Sequence, residues 1–364
     1  MVSSLSARAR IEWIDYARAI GIVLVVVGHV LGGLRHERFG DAILPYQPIN
    51  DFIYSFHMPL FFALSGIVFA LLPPSSVEKF LRSTLVGILI PYFSWSIIVI
   101  VLQQVAGDYA YERTDLSNIF HLLWFPTLHF WFLYVLFFVR AVYYTGWMLQ
   151  QARGVAIIIL VSIVLYVSYF MVVHIPSGRG LAFLIPKFLM GGAYFGAGFA
   201  LAKWGPKIEL RLTWRFVAST AAAWLIVTFI LRQDPKVFML TPLAAALGVA
   251  YTLGLSWLLT SPQSTAGRLF AVLGQASLAI YVTHIIFAAG TRIALLLIGV
   301  TNIPIHLMAG TAMGVILPTI MFLVGNRFEM LPYLGFGQNQ RFTYSGGWTR
   351  QRGQARCASG NDLA

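Results

Sequence analysis

Long uninterrupted apolar runs constrain this sequence more than any other feature, because a helix that crosses the hydrocarbon core of a membrane needs about 20 mostly apolar residues. Only 10% of the 364 residues are charged, whereas soluble domains carry roughly 25%. The mean hydropathy is +0.77. The sequence therefore predicts an all-α fold, a polytopic integral membrane bundle of about ten transmembrane helices. The ten runs lie near residues 12–33, 51–72, 83–106, 129–149, 154–173, 184–202, 214–231, 238–259, 268–298 and 305–325.

The connections between these runs are short and rich in proline and glycine, so that no soluble domain fits between them. Residues 1–337 are accordingly predicted to form one membrane domain. The ninth run, 268–298, is long, and we expect it to tilt strongly or to break near Gly290. Residues 338–364 are rich in Gln, Arg, Gly and Ser, which predicts a disordered tail. The single cysteine, Cys357, lies in this tail, so neither a disulfide framework nor a cysteine metal site is expected.

The net charge of +12 is better explained by membrane orientation than by nucleic-acid binding, because cytoplasmic loops of membrane proteins collect Lys and Arg. With the N-terminus in the cytoplasm, fifteen of the 25 basic residues fall on the cytoplasmic side and six on the outer side, while four lie within helices or at their edges. The opposite topology reverses this bias. The charges therefore predict a multi-pass protein of the inner or plasma membrane with both termini in the cytoplasm.

Three ionisable residues, Asp15, Arg18 and His29, lie in the first run. The presence of each requires a structural or functional explanation, because a charge at mid-membrane costs about 2.5–3.5 kcal/mol on insertion scales. At 100° per residue, Arg18 and His29 fall about 20° apart on the helix, and Asp15 lies within about 60° of both. His29 sits roughly 16 Å further along the helix than Arg18. An interfacial ion pair of Asp15 with Arg18 remains open as an interpretation of those two residues. It does not explain His29, which is too deep to reach the interface.

Two later runs also carry polar groups at membrane depth. In the second run, His57 precedes Pro59, and Ser65 follows. Pro59 cannot donate its backbone amide, and such breaks are tolerated where they line protein or a wet cavity, although proline kinks are also common in membrane helices. In the ninth run, Gly274, Ser277, Tyr281 and His284 are spaced to share one helical face. Ordinary packing of small residues, with His284 as a hydrogen-bond donor between helices, is the competing interpretation.

Metal binding is not expected from the membrane-depth histidines, because none of them shows HxxxH or HExxH spacing. At the start of the fourth run, His129, Trp131 and Phe132 lie where aromatic residues gather at membrane interfaces in any case. Composition alone assigns them no role.

Taken together, these segments resemble the membrane acyltransferase 3 family, most clearly its short, stand-alone members similar to fucose 4-O-acetylases. Five motifs occur in order between residue 12 and about residue 325. They are Arg18 and His29 with ten residues between them, SFHMPLFFALSG at 55–66, a basic stretch with Lys79 and Arg82 leading to Pro91-Tyr92, LHFWFLYVLF at 128–137, and LGQASLAIYVTH at 273–284. The resemblance implies transfer of an acyl group, usually acetyl, from cytoplasmic acyl-CoA to a glycan hydroxyl at or beyond the outer membrane face. It implies no tightly bound cofactor.

Within this resemblance we assign roles to the polar residues. A sugar hydroxyl is a poor nucleophile at neutral pH, so we expect His29 to act as its general base. A covalent acyl-His29 intermediate is the alternative. Arg18 and Arg82 are expected to hold the CoA phosphates or to polarise the thioester carbonyl, and Asp15 to hold Arg18 in place. The remaining predicted site residues are Trp131, as a wall for donor or acceptor, and His57, Ser65, Tyr281 and His284, as polar lining.

Two other functional classes are compatible with the sequence. A transporter or flippase of a lipid-linked saccharide would use the buried His and Arg side chains as a substrate path. A sensor or assembly subunit would use the polar face for helix packing only. An acyl-CoA transfer assay separates the acyltransferase interpretation from both of these. As partners we expect acyl-CoA, a glycan or lipid-linked saccharide acceptor, and membrane lipid, and no nucleic acid.

Overall fold

The architecture comes from a computed structural model that describes residues 12–35, 39–107, 116–172, 181–205, 212–260 and 264–336. These ranges contain α-helices joined by short 3₁₀ and π turns, and no β-strand occurs within them. The predicted all-α class is confirmed. The predicted tail, 338–364, lies outside the described residues. The helices in these ranges are α1 (Glu12–Arg35), α2 (Gln47–Leu71), α3 (Val77–Thr84), α4 (Ile90–Ala106), α5 (Trp131–Val172), α6 (Leu181–Trp204), α7 (Trp214–Gln233), α8 (Thr241–Leu259), α9 (Thr265–Gln275), α10 (Ser277–Leu297) and α11 (Ile303–Arg327).

Nine stretches of the described chain are long and apolar enough to cross a membrane. One of them, Ile119–Tyr169, contains most of α5, and α5 is broken at Gln150 and Gln151, where Gln151 has a φ of +50°. The chain folds back at this break, because a Cβ on Gly146 would lie 3.2 Å from the carbonyl oxygen of Gly154. An unbroken helix would hold these two residues about 12 Å apart. With this stretch divided in two, the nine stretches correspond to the ten predicted runs, the ninth run only over Ser277–Leu297.

The ninth run differs from the prediction. The chain breaks at Ala276, between α9 and α10, and Gly290 lies inside α10. The break expected near Gly290 is therefore wrong, and so is the single helical face expected to join Gly274 to His284. A Cβ at Gly290 would meet no atom within 4 Å, whereas one at Gly274 would collide with the backbone of Asp15. Close packing against α1 thus fixes the position of α9. The 11 residues of α9 are too few to span a membrane.

Helix α1 lies at the centre of the bundle, where it contacts α2, α8, α9, α10 and α11. Glycines permit this crowding: Gly28 lies against Tyr54 of α2, and Gly310 of α11 lies against Val30. Any polar side chain on the second half of α1 therefore faces several neighbouring helices rather than lipid.

Helices α2 and α6 pack closely along their length, and small residues bring the two backbones together. A Cβ on Gly66 would collide with the carbonyl group of Phe195, and one on Gly198 would collide with the carbonyl group of Ala63. Small residues at such contacts are typical of membrane helices, where association depends on close van der Waals packing. This contact fixes the depth of α6 relative to α2, and both helices line the site described below.

Candidate active site

Three imidazole rings from three segments meet in the half of the bundle that contains the C-terminal end of α1. The ring centroid of His29 in α1 lies 5.1 Å from that of His284 in α10 and 5.6 Å from that of His129, which precedes α5. The His129 and His284 centroids are 5.0 Å apart. We call these three residues the histidine cluster. Within the part of the chain that the structure describes, no group of three or more His, Cys, Asp or Glu side chains is arranged to hold a metal ion.

The tautomer of His284 follows from its hydrogen bonds. Its Nδ1 lies 2.9 Å from the carbonyl oxygen of Ile280 and 2.8 Å from that of Tyr281, one turn earlier in α10. A carbonyl oxygen only accepts, so Nδ1 must carry the hydrogen in the neutral ring. The opposite nitrogen, Nε2, then presents a lone pair to the cluster. Nε2 is buried, and no hydrogen-bond partner lies within reach.

His129 is held by two reciprocal bonds with α10. Its Nε2 lies 3.0 Å from the carbonyl oxygen of Tyr281, and the Tyr281 hydroxyl donates to the carbonyl oxygen of His129. The same reasoning places the hydrogen on Nε2 and leaves Nδ1 as an acceptor, and Nδ1 is buried without a hydrogen-bond partner. Buried polar atoms without partners are uncommon in proteins. His129 and His284 therefore offer two unused acceptor nitrogens beside His29.

His29 differs from its two neighbours in being partly exposed. It lines a cavity of about 1500 Å³, and both ring nitrogens remain available there, since no described residue hydrogen bonds to this ring. His57 extends the polar wall: its Nδ1 donates to the carbonyl oxygen of Ile53 at 2.7 Å, and its ring lies 4.8 Å from that of Tyr54. Tyr54 in turn lies 6.3 Å from His29. The partly exposed imidazole of His29 thus lines the cavity, beside the buried rings of His57, His129 and His284.

The cavity extends from the histidine cluster to the end of the bundle where α1 and α4 finish. Two basic side chains, Lys187 and Arg292, line it together with apolar and aromatic groups. The Lys187 ammonium lies 4.0 Å from the ring centroid of Phe183 and 4.7 Å from that of Trp131. An apolar and aromatic lining with a few convergent polar groups is the usual form of a ligand site.

Four of the predicted site residues line this cavity: His29, His57, Trp131 and Tyr281. A fifth, His284, does not line it and lies against the His29 ring. Pro59 also lines it, in agreement with the interpretation that the proline marks a cavity wall. Ser65 does not reach the cavity, and its hydroxyl donates to the carbonyl oxygen of Phe61 at 2.8 Å.

The other three predicted residues lie toward the opposite end of the bundle. Arg18 Nη1 lies 3.6 Å from Asp15 Oδ1, with the Asp15 side chain buried and that of Arg18 32% exposed. Arg82 is exposed on α3. Between Arg18 and His29, the same face of α1 carries Ile22 and Val25, which are fully packed in the core. The polar face predicted to run along α1 is therefore two polar ends separated by an apolar middle.

The sequence alone predicts no role for His129, Lys187 or Arg292. Lys187 and Arg292 are isolated charges within apolar runs, and that is a usable signal, because intramembrane ionisable residues mark functional sites by default. His129 lies at the edge of its run, and the LHFWFLYVLF motif that contains it gives the histidine itself no role. Its bond to Tyr281 and its ring contacts with His29 and His284 reveal its place.

Comparison with known proteins identifies the family of the chain. The profile of a family described as an acyltransferase domain, acyltransferase 3, matches residues 11–323. The chain belongs to the acyltransferase 3 family. The four predicted residues that line the cavity, as well as His129 and His284, lie within the matched region.

A curated relative matches a smaller part of the chain. Nodulation protein NolL from Mesorhizobium japonicum is 33% identical over 92 residues, which is 25% of this chain and 24% of NolL. The match thus spans about a quarter of each protein. No solved structure matches the chain significantly.

Proposed function

We propose that this protein transfers an acyl group, acetyl in the first instance, from acyl-CoA to a hydroxyl of a cell-surface or lipid-linked saccharide. The observation that carries the proposal is the setting of His29. It is the one partly exposed member of the histidine cluster, it lines a large cavity, and its ring nitrogens are available there. An acyltransferase needs a base at that position, since the acceptor hydroxyl must lose its proton as it attacks.

In the proposed reaction, one ring nitrogen of His29 takes the proton of the acceptor hydroxyl while the hydroxyl oxygen attacks the thioester carbonyl carbon. The tetrahedral intermediate then collapses, and the bond between carbon and sulfur breaks. The CoA sulfur leaves with the electron pair and receives the proton from the His29 imidazolium. The products are an acylated saccharide and free CoA thiol, and His29 returns to its neutral form.

The unused acceptor nitrogens support the imidazolium stage. A protonated imidazole has two N–H groups, one of which comes from the acceptor hydroxyl. We assign the other to His284 Nε2, because a small rotation at a centroid separation of 5.1 Å brings the two ring edges within hydrogen-bonding distance. His129 Nδ1 then accepts from a second hydroxyl of the saccharide. His284, whose Nδ1 hydrogen is bonded to the backbone, thus serves as a positioning residue for His29.

The donor is proposed to bind near Arg18 and Arg82, with the N-terminal end of α1 in the cytoplasm. Arg18 lies roughly 16 Å along α1 from His29, a distance suited to the long pantetheine arm of CoA. Ile22 and Val25 occupy the space between them, so the arm must displace their packing contacts to deliver the thioester. The saccharide enters from the opposite side, through the cavity.

The decisive experiment incubates the purified protein with acetyl-CoA and a saccharide-containing membrane extract. We expect release of free CoA thiol together with a saccharide whose mass has grown by one acyl group. The matched control is His29→Gln, which keeps a hydrogen-bonding side chain. A flippase would move the lipid-linked saccharide between leaflets without consuming acetyl-CoA, and that result would replace the proposal.

A further inference from the structure

Tyr54 of α2 is an exposed aromatic side chain beside the proposed base. It lines the cavity, it is 47% exposed, and its ring centroid lies 6.3 Å from that of His29. Tyrosine joins an apolar body to a polar tip. The hydroxyl tip alone cannot supply so large an exposed fraction, so carbon atoms of the ring are exposed as well. An open apolar ring surface thus adjoins the imidazole to which the acceptor must bring its hydroxyl.

The position of this ring is fixed by its neighbours. Gly28 directly precedes His29 in α1, and a Cβ on Gly28 would lie 3.0 Å from Cε2 of Tyr54. The imidazole rings of His29 and His57 are inclined to the Tyr54 ring by 68° and 73°, so neither of them stacks flat on it. Tyr54 also makes a further interaction within the protein. The side chain is therefore held against α1 while part of its ring stays exposed.

Trp131, the aromatic residue that the sequence predicts as a wall of the site, is placed differently. The Lys187 ammonium lies 4.7 Å from the centroid of the Trp131 ring, so a cation occupies one of its faces. Among the described residues, the rings in contact with His29 are those of Tyr54 and of two histidines. Tyr54 is thus the aromatic hydrocarbon surface nearest to the proposed base.

A saccharide has a surface that complements such a ring. In a hexopyranose the hydroxyl groups lie mainly around the rim, and axial C–H groups cover the two faces. A C–H face that lies on an aromatic ring buries apolar surface, and the negative face of the aromatic ring attracts the positively polarised hydrogens. The hydroxyls at the rim then stay free to come within about 2.6–3.2 Å of a general base. The 6.3 Å between the Tyr54 and His29 centroids is comparable to the width of one sugar ring with its hydroxyls.

We propose that a pyranose ring of the acceptor stacks on Tyr54 and directs an equatorial hydroxyl to His29. This inference rests on the proposed function and deepens it, since it names the ring form of the acceptor and the residue that binds it. The stacked ring has a defined orientation relative to the base, and that orientation selects which hydroxyl is acylated. Tyr54 itself takes no part in proton transfer.

Binding is measured first on the wild-type protein without acyl-CoA, by saturation-transfer NMR with irradiation of the aromatic protons of the protein. The probes are methyl β-D-glucopyranoside, methyl β-D-galactopyranoside and the open-chain polyol sorbitol. We expect at least one pyranoside to receive saturation mainly on the axial hydrogens of one face, and sorbitol, which has no rigid face, to receive severalfold less. Even saturation of all ring hydrogens, no saturation of either pyranoside, or equal signals from sorbitol overturns the proposal.

Variants assign the contact to Tyr54. Tyr54→Leu keeps an apolar side chain and removes the ring, so it should weaken binding of the preferred pyranoside about 2- to 12-fold, the range for one aromatic contact. Tyr54→Phe and Tyr54→Trp should retain most of the affinity. The matched control is Tyr333→Leu, because Tyr333 is 88% exposed and lies after α11, away from the cavity. Wild-type affinity in Tyr54→Leu contradicts the proposal. So does an equal loss in Tyr54→Phe, because it assigns the effect to the hydroxyl.

Two further readouts separate this role from others. If CoA displaces the pyranoside from the wild-type protein, Tyr54 belongs to the donor site and the proposal is overturned. In the transfer assay, Tyr54→Leu should raise the KM for the saccharide and leave the KM for acyl-CoA and the melting temperature unchanged. A rise in both KM values with a lower melting temperature shows a structural role instead. A protein that binds pyranosides through Tyr54 and transfers no acyl group would refute the proposed reaction and still support the sugar site.

Discussion

His29 and His284 lie with their ring centroids 5.1 Å apart, and the Nδ1 hydrogen of His284 is committed to the backbone of its own helix. His284 therefore faces His29 only as a hydrogen-bond acceptor. This relationship predicts that His284→Leu lowers kcat about 10- to 100-fold with the KM for acyl-CoA unchanged, since a hydrogen bond to a charged group contributes about 1.5–3 kcal/mol.

The control for His284 is His284→Gln, whose side-chain oxygen can replace the lost acceptor and should recover part of the rate. The two variants are compared by steady-state kinetics per folded molecule. Equal kcat values for His284→Leu and the wild type would show that the ring serves packing only.

The His29→Gln variant tests the base itself. It should insert and fold normally, yet lose a factor of about 10²–10⁴ in transfer rate, which is the typical contribution of general acid–base catalysis. The measurement is turnover per folded molecule, with the melting temperature as the check on folding. A variant with at least half of the normal turnover would falsify the catalytic role and leave helix packing as the explanation of His29.

The donor assignment predicts that Arg18→Ala and Arg82→Ala each weaken CoA binding well beyond the effect of removing a surface charge. Arg18→Lys should be intermediate, because lysine keeps the charge and loses the planar fork. The matched control is Arg215→Ala, an exposed arginine at the start of α7. Affinity is measured by equilibrium binding of CoA to purified protein. Wild-type affinity in both alanine variants rules the assignment out.

The backbone contact of α2 with α6 predicts a large effect of Gly66→Ala. The added Cβ collides with the Phe195 carbonyl group, which is fixed in the helix backbone and cannot rotate away. The two helices must therefore separate, and we expect the folded yield and the melting temperature to fall. Gly290→Ala is the control, because its Cβ meets open space, and replacing a helical glycine by alanine is favourable by up to about 1 kcal/mol. If the two variants melt at the same temperature, the close packing of α2 and α6 is not what stabilises the bundle.

The predicted topology is tested through the only cysteine of the sequence, Cys357. A membrane-impermeant maleimide should label it in permeabilised cells and not in intact ones. In a Cys357→Ser background, Thr301→Cys in the exposed connection between α10 and α11 should show the opposite pattern. Labelling of Cys357 in intact cells places the C-terminus outside and contradicts the prediction.

The number of spans could be predicted from the sequence because the thickness of the hydrocarbon core sets the length of an apolar run, and hydropathy alone measures that length. His29 could be singled out for a related reason: an ionisable group inside an apolar run, on the same helical face as Arg18, needs a partner in protein or a wet cavity rather than lipid. The break at Ala276 could not be predicted, since the residue that decides it, Gly274, is constrained by the backbone of Asp15 some 260 positions earlier.

The set of residues that surround His29 is a property of the tertiary structure. His129 and Tyr281 are 152 positions apart and bond only because α10 packs beside the start of α5. Lys187 reaches the cavity through the register of α6 on α2, and Arg292 through the gap left by Gly33. The sequence by itself determined the fold class, the family resemblance and the depth of each polar group, because these depend on local composition and spacing. Only the packing of the helices decided which of those groups meet, because the rotation and register of each helix depend on contacts with distant parts of the chain.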